Sequence, residues 1–288
     1  MDRAPPAARP AHLAGACYPA EAAELRRLLD RLLARVPGSR GAGDARLLVA
    51  PHVDLARGGA SYAHAYREIA RSRAELFVVF GTAHATPVHP FTLTRSDYAT
   101  PLGPVPTDRA LADRLVSELG PGLLAAEACH RKEHSVEFQM VWLRHLLPDR
   151  EIRALPVLCS GLSSPPDPRT AAGPFLESLA RAVAGRDVCW VAGADLAHAG
   201  PLYGDARPPT PEQLRALASE DRRTLAFLEA GDAEGFRRDA ARDDARRRIC
   251  GAAPIYAAMR ASRRGARLLH YQQWSDGTDS VSFAAAAG

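Results

Sequence analysis

Three short runs of this chain are apolar without a break: LLVA at 47–50, LFVVF at 76–80 and VCWVAG at 188–193. A strand with one wet face alternates apolar and polar residues. An unbroken run must be covered on both faces, which calls for a largely parallel sheet between two layers of helices. The segments between these runs carry helical spacing. Leu25, Leu28, Leu29, Leu32, Leu33 and Val36 share one helical face that Pro37-Gly38 stops. GGASYAHAYREIARS, 58–72, reads as a helix with Tyr62, Tyr66 and Ile69 inward. Thr107 is placed as the N-cap of a helix over 108–120, and EHSVEFQMVWLRHLLP, 133–148, as a largely buried helix. EIRALPVLCSG, 151–161, reads as a strand, and RDVCWVAGADLAHAG, 186–200, as one strand running into a polar loop. Further helices are expected over 173–185, 210–232 and 250–262. The segment from Arg267 onward reads as two strands joined at Asp276-Gly277, which makes the sheet mixed. The expectation is a three-layer α/β fold with a mixed, mostly parallel sheet flanked by helices. No linker divides the chain, so residues 13–288 are taken as one domain behind a disordered lead, residues 1–12.

Bulk properties narrow the function classes. With 288 residues and 47% hydrophobic content, the chain can bury a sizeable core. Its net charge of +4, from 37 Lys+Arg against 33 Asp+Glu, argues against a nucleic-acid or membrane partner. The one dense basic run, RDDARRRIC, is read as a solvated face. No apolar run reaches the roughly 18–20 residues of a membrane span. The first residues lack the apolar core of a secretory signal, and five widely spaced cysteines include no CxxC. A reducing, cytoplasmic location is expected, with Cys17, Cys129, Cys159 and Cys189 as structural thiols.

Chemistry gathers at strand ends. LLVAPH ends at His52, LFVVFGTAH reaches His84, and VCWVAGADLAH reaches Asp195 and His198. In an open α/β sheet the ligand crevice lies beyond the carboxyl ends of the strands. A lone strand-end histidine is more often a hydrogen-bonded structural residue, but three such ends in one chain favour a site. Cys250 precedes Gly251 and the start of a helix, whose partial positive charge favours a thiolate. His134 and Glu137, at i and i+3 on a buried helix, are either a self-satisfied pair or an acid/base facing substrate. Two imidazoles and a thiolate suit Fe(II), Cu or Zn and leave a coordination position open. HExxH, P-loop, GxGxxG and GxSxG motifs are absent.

Seven stretches in order, AGACYP, APHVDLARGGASYAHAY, GTAH, YATPLGPVPTD, EHSVEFQMVWL, GADLAH and ICGAAPI, resemble the landmarks of the Memo-like family. Its bacterial and archaeal members are called AmmeMemoRadiSam system protein B. The resemblance covers residues 13–288. It implies a fold like that of the class III extradiol dioxygenases, non-haem iron enzymes that cleave catechol rings. It also implies a metal site of two His and one Cys, which fall here on His52, His84 and Cys250. Asp195 and His198 match polar residues of the same pocket, and His134 matches the histidine of the family's EHS segment. In the dioxygenases the third ligand is a carboxylate, where Cys250 stands here. The chain departs from the usual AGY after the first histidine, having Val53-Asp54-Leu55, and from WYP, having Cys17-Tyr18-Pro19. Asp54 either orients His52 or a bound water, or bonds to backbone amides in the glycine turn.

The leading expectation is a metal-dependent oxidoreductase acting on a small molecule with O2. Fe(II) or Cu would sit at His52, His84 and Cys250, with Zn as a further option. His134 or His198 would move protons, Asp195 and Glu137 stand as acid/base candidates, and Asp54 and Arg57 as substrate-facing residues. The alternatives are a binding module on an enzyme scaffold, without turnover, and a zinc hydrolase with Glu137 or Asp195 as base. The family's name implies a functional association with a radical S-adenosylmethionine protein.

Overall fold

The computed structural model describes residues 8–38, 43–85, 89–160 and 168–288, the side chains of 168–171 excepted. Its helices are α1 (Ala22–Ala34), α2 (Leu55–Arg67), α3 (Arg109–Leu119), α4 (His134–Leu146), α5 (Pro168–Ala182), α6 (Pro211–Glu229), α7 (Ala233–Ala240), α8 (Asp244–Arg247) and α9 (Ala252–Ser262). Its strands are β1 (Leu47–Ala50), β2 (Leu76–Thr82), β3 (Phe91–Leu93), β4 (Arg153–Cys159), β5 (Val188–Gly193), β6 (Asp195–Ala199), β7 (Arg267–Ser275) and β8 (Ser280–Ala287). They form one sheet in the order β3-β4-β2-β5-β1-β8-β6, with β7 also on β8. The four strands β4, β2, β5 and β1 are parallel neighbours, and β3, β6, β7 and β8 pair antiparallel. The expected mixed α/β fold is therefore present.

Every residue of β1, β2 and β5 is buried, as unbroken apolar runs require. One face of the sheet carries α1, α2 and α4, packed through Leu25, Leu29, Tyr62, Tyr66, Phe138 and Trp142. The other face carries α3, α5, α7 and α9 around Phe80, Phe91, Phe175 and Trp190. Trp142 lies between Tyr62 and Tyr66, with ring centroids 5.9 and 5.4 Å away. Burying an aromatic of that size removes on the order of 200 Å² from water, about 5 kcal/mol before entropy is counted.

Several local features differ from expectation, each for a stated reason. The segment 186–200 is two strands. The chain leaves β5 at Gly193, crosses the carboxyl end of β1, and continues as β6 against β8. α2 begins at Leu55, so Gly58 and Gly59 lie inside the helix, and Asp54 is its N-cap through the Arg57 amide at 3.0 Å. Asp108, not Thr107, caps α3 by accepting the Leu111 amide; Thr107 instead donates its hydroxyl to the Ser96 carbonyl. Of the basic run, Arg247 is fully buried against Asp221, Thr224 and Asp239, because α6 and α7 close over it. In the expected disordered lead, residues 8–12 are described and Arg9 is buried. It bonds the carbonyls of His130 and Glu133 and pairs with Glu137 at 2.6 Å. Among the described residues, no helix is long and apolar enough to cross a membrane.

Candidate metal centre

The carboxyl ends of β1, β2 and β5 converge with the first turn of α4 and the approach to α9. Close approach depends on Gly81 and Gly193, which sit at the ends of β2 and β5 and pair in register. A Cβ on Gly81 would lie 2.5 Å from Ser135 Oγ, and one on Gly193 would overlap the Ser135 carbonyl. With hydrogen at both positions, the start of α4 settles directly on the sheet. Ser135 Oγ donates to the Thr82 carbonyl at 2.9 Å, which brings Glu133 and His134 beside His84.

His52, His84 and Cys250 come together, with their ligand atoms all within 4.8 Å of one another. His52 Nδ1 lies 2.9 Å from the Gly193 carbonyl. A carbonyl only accepts, so Nδ1 carries the proton and the Nε2 lone pair points away, 3.2 Å from Cys250 Sγ. His84 Nδ1 lies 3.0 Å from Glu133 Oε1, which sets the same tautomer. Asp195 Oδ1 accepts the His52 amide at 2.9 Å, and Oδ2 stands 3.6 Å from His52 Nε2. The Asp195 carbonyl accepts the Gly251 amide at 2.9 Å, which fixes the residue after Cys250.

Electrostatics follow burial. Burial, then the neighbouring His84, pushes the His52 pKa down to about 3. Burial, then His52, takes His134 down to about 4, and burial also lowers His198. These imidazoles are neutral near pH 7. Burial, then the Asp195 charge, pushes the Cys250 thiol well up, so a helix start does not by itself yield a thiolate here. A thiolate at this position needs a cation beside it.

The donor set fits a divalent transition metal. Both histidines offer Nε2 with Nδ1 already held, as metal-ligating imidazoles do. A tetrahedral ion keeps an imidazole nitrogen and a thiolate sulfur about 3.5 Å apart, close to the spacing of His52 and Cys250. A second grouping, His84, Glu133 and His134, is also close enough to hold an ion. There, Glu133 already receives His84 Nδ1, the His84 amide and the Ser135 amide, so its geometry is that of an orienting carboxylate. Burial alone would raise the Glu133 pKa; the His84 hydrogen bond and the nearby histidines override it and hold the carboxyl well below the usual range.

The centre opens into a cavity of about 380 Å³. His134 lines it, stacked on His84 at 4.5 Å, and so does His198, whose Nδ1 faces the Leu196 and Arg248 carbonyls. Asp195 and Arg57 also line the cavity. Asp54 stands behind Arg57, with its Oδ2 accepting from Nε at 2.7 Å. Glu137 lies elsewhere: it faces away from His134 and accepts the His12 and Leu13 amides and the Tyr18 hydroxyl beside Arg9. Glu133, Tyr203 and Arg248 belong to the site and were not singled out from sequence. A glutamate directly ahead of a helix start was the available signal for Glu133.

A family profile described as Memo-like protein matches residues 9–287. Among curated proteins, the chain is 31% identical to a MEMO1 family protein of Methanococcoides burtonii over 217 residues, 75% of this chain and 73% of that one. It is 32% identical to a MEMO1 family protein of Thermus thermophilus over 223 residues, 77% of this chain and 63% of that one. A MEMO1 family protein of Methanosarcina mazei is 30% identical over 264 residues, 88% of this chain and 85% of that one.

Proposed function

Because the chain belongs to the Memo-like family, we propose that it is a metal-dependent oxidoreductase acting on a small molecule with dioxygen. His52, His84 and Cys250 would hold a divalent iron or copper ion. The observation that carries this reading is the preset pair of histidines. Nδ1 of each is committed to the Gly193 carbonyl or to Glu133, which leaves two Nε2 lone pairs and one sulfur facing a common point. A redox-active ion held by imidazole and thiolate supplies one-electron chemistry towards dioxygen.

The chain's own residues do the rest. Glu133 orients His84 through Nδ1, and Asp195 holds the backbone of His52 in place. His198 donates Nδ1–H to backbone carbonyls, so Nε2 is free to accept a proton from substrate. His134, neutral and stacked on His84, offers a second acceptor. Val53 and Val281 give the cavity an apolar wall that limits water. The hydrolytic alternative has less support, because Glu137 is turned towards Arg9 and Asp195 Oδ1 is committed to backbone amides.

Metal analysis of the purified protein beside His52→Ala and Cys250→Ser tests the ligand assignment. Both variants should lose bound iron or copper, and unchanged content in both would overturn it. Dioxygen uptake with a panel of phenols and thiols tests the activity. Uptake that depends on Cys250 supports an oxidoreductase, whereas full metal occupancy with no uptake for any member would favour a binding module.

A further inference from the structure

The cavity wall carries the imidazole Nε2 atoms and the Cys250 sulfur at the metal centre, and a separate group of uncommitted donors on Arg57 and Tyr203. The Nδ1 atoms of His52, His84 and His198 face oxygen acceptors, and Asp195 Oδ1 takes the amides of His52 and Val53. Arg57 uses only Nε, on Asp54, and its guanidinium lies 4.9 Å over the Trp274 ring. Its Nη1 and Nη2 donate to no described residue. The Tyr203 hydroxyl also has no hydrogen-bond partner among the described residues, while its ring sits 4.7 Å from His198. Arg248 gives Nη2 to Asp205 at 2.7 Å and spends Nη1 on long bonds to carbonyls at 3.3 and 3.4 Å.

The placement of the counter-charges matters as much as their number. Asp54 and Asp205 balance the two arginines. Arg57 and Arg248 line the cavity, while the acids paired with them lie off its wall. Among the described residues Asp195 alone brings a carboxyl to the wall, and it is buried with Oδ1 committed to amides and Oδ2 3.6 Å from His52 Nε2. Around Arg57 and Tyr203 such a wall disfavours an organic cation and attracts an anion.

We propose that the cavity takes a small organic carboxylate, received by Arg57 and Tyr203 with Arg248 beside them, its far end directed at His52, His84 and Cys250. This rests on the reading of that cavity as the reaction site. A planar guanidinium with two free N–H groups on one edge matches a carboxylate in a two-point contact. Clamped between the Asp54 carboxylate and the Trp274 ring, Arg57 is ordered before ligand arrives, which lowers the entropy lost on binding. The cavity holds roughly a dozen water-sized groups, enough for a compact acid and too little for a folded partner.

Isothermal titration of the full chain with acetate, benzoate and phthalate tests this, with benzamide as the uncharged match to benzoate. Metal content is measured on every sample. At least one carboxylate should bind, and benzoate should bind about tenfold or more tightly than benzamide. Arg57→Gln should weaken carboxylate binding about tenfold, and Tyr203→Phe several-fold, with metal content unchanged. Equal binding of benzoate and benzamide, no binding of any of the three acids, or wild-type affinity in Arg57→Gln would overturn the proposal. Metal retained alongside such a result leaves the proposed function standing. Carboxylate binding in a protein that holds no metal would sink the proposed function and keep the anion site.

Discussion

Replacing Glu133 with glutamine should weaken metal binding by about 10–100-fold. Glu133 is buried, with Oε1 receiving His84 Nδ1 and the Ser135 amide and Oε2 receiving the His84 amide, each at 3.0 Å. A glutamine with its carbonyl on the Oε1 side keeps the ring contact and the helix cap. It loses the negative charge and sets an NH2 group against the His84 amide, which then lacks an acceptor. Carboxylates that hold a metal-ligating imidazole in this way are worth about 10–100-fold in metal affinity, roughly 1.4–3 kcal/mol. The unsatisfied amide costs the fold about 1–3 kcal/mol. Competition for Zn(II) with a chromophoric chelator reads the first quantity, and urea unfolding of the metal-free protein reads the second. Glu133→Ala removes the cap as well and should lower stability by about a further 1 kcal/mol. If Glu133→Gln lowers the urea midpoint while chelator competition stays within about twofold of wild type, Glu133 is a helix cap and the orienting role fails.

Gly193→Ala should cost about 1–3 kcal/mol in urea unfolding, because the new methyl meets backbone at Ser135 and lies 2.7 Å from Gln139 Nε2; wild-type stability would refute the close-approach argument. Burial takes His130 down to about 4 from an ordinary 6.5, so the unfolded chain binds the extra proton first. Its contribution, up to about 3 kcal/mol, is fully present above pH 6.5 and lost as pH falls towards 4, and His130→Gln should flatten that part of the stability–pH curve. Arg247→Met should destabilise by about 3–5 kcal/mol by stranding buried Asp221, and Arg247→Met with Asp221→Leu should recover most of it in the same assay.

The fold could be read from sequence where burial alone decides it. β1, β2 and β5 are apolar because both faces are covered, and no other placement suits such runs. The division of 186–200 into two strands could not be read that way. It turns on the crossing over β1, a tertiary event, and a single glycine, Gly193, inside an otherwise largely apolar run does not distinguish a break from a close approach. His52 and His84 stood out because buried strands end on them. Asp54 was ambiguous because one side chain can serve a ring, a water or an amide; the helix starting at Leu55 supplies the amide. Arg248 was lost in a basic run whose members share a composition but not an environment: Arg247 is sealed between helices, while Arg248 lines the cavity. Tyr203 sits in a short turn with no periodicity to flag it.

The position of β1 also sets the order in which the chain can fold as it is made. This strand, at residues 47–50, lies between β5 and β8, so neither of its neighbours exists until residues 188–193 and 280–287 have been synthesised. A nascent chain halted before residue 188 would carry its most apolar strand with both edges open, the state most prone to pairing with another chain. The two imidazoles emerge early, while the thiol follows His52 by 198 residues. Deleting β8 would strip β1 of one neighbour along the Leu48–Ala287 and Val49–Ala286 pairs and open the edge of the strand that ends at His52. Folding of the centre therefore waits on nearly the whole polypeptide, and chaperone demand should concentrate before the last hairpin forms.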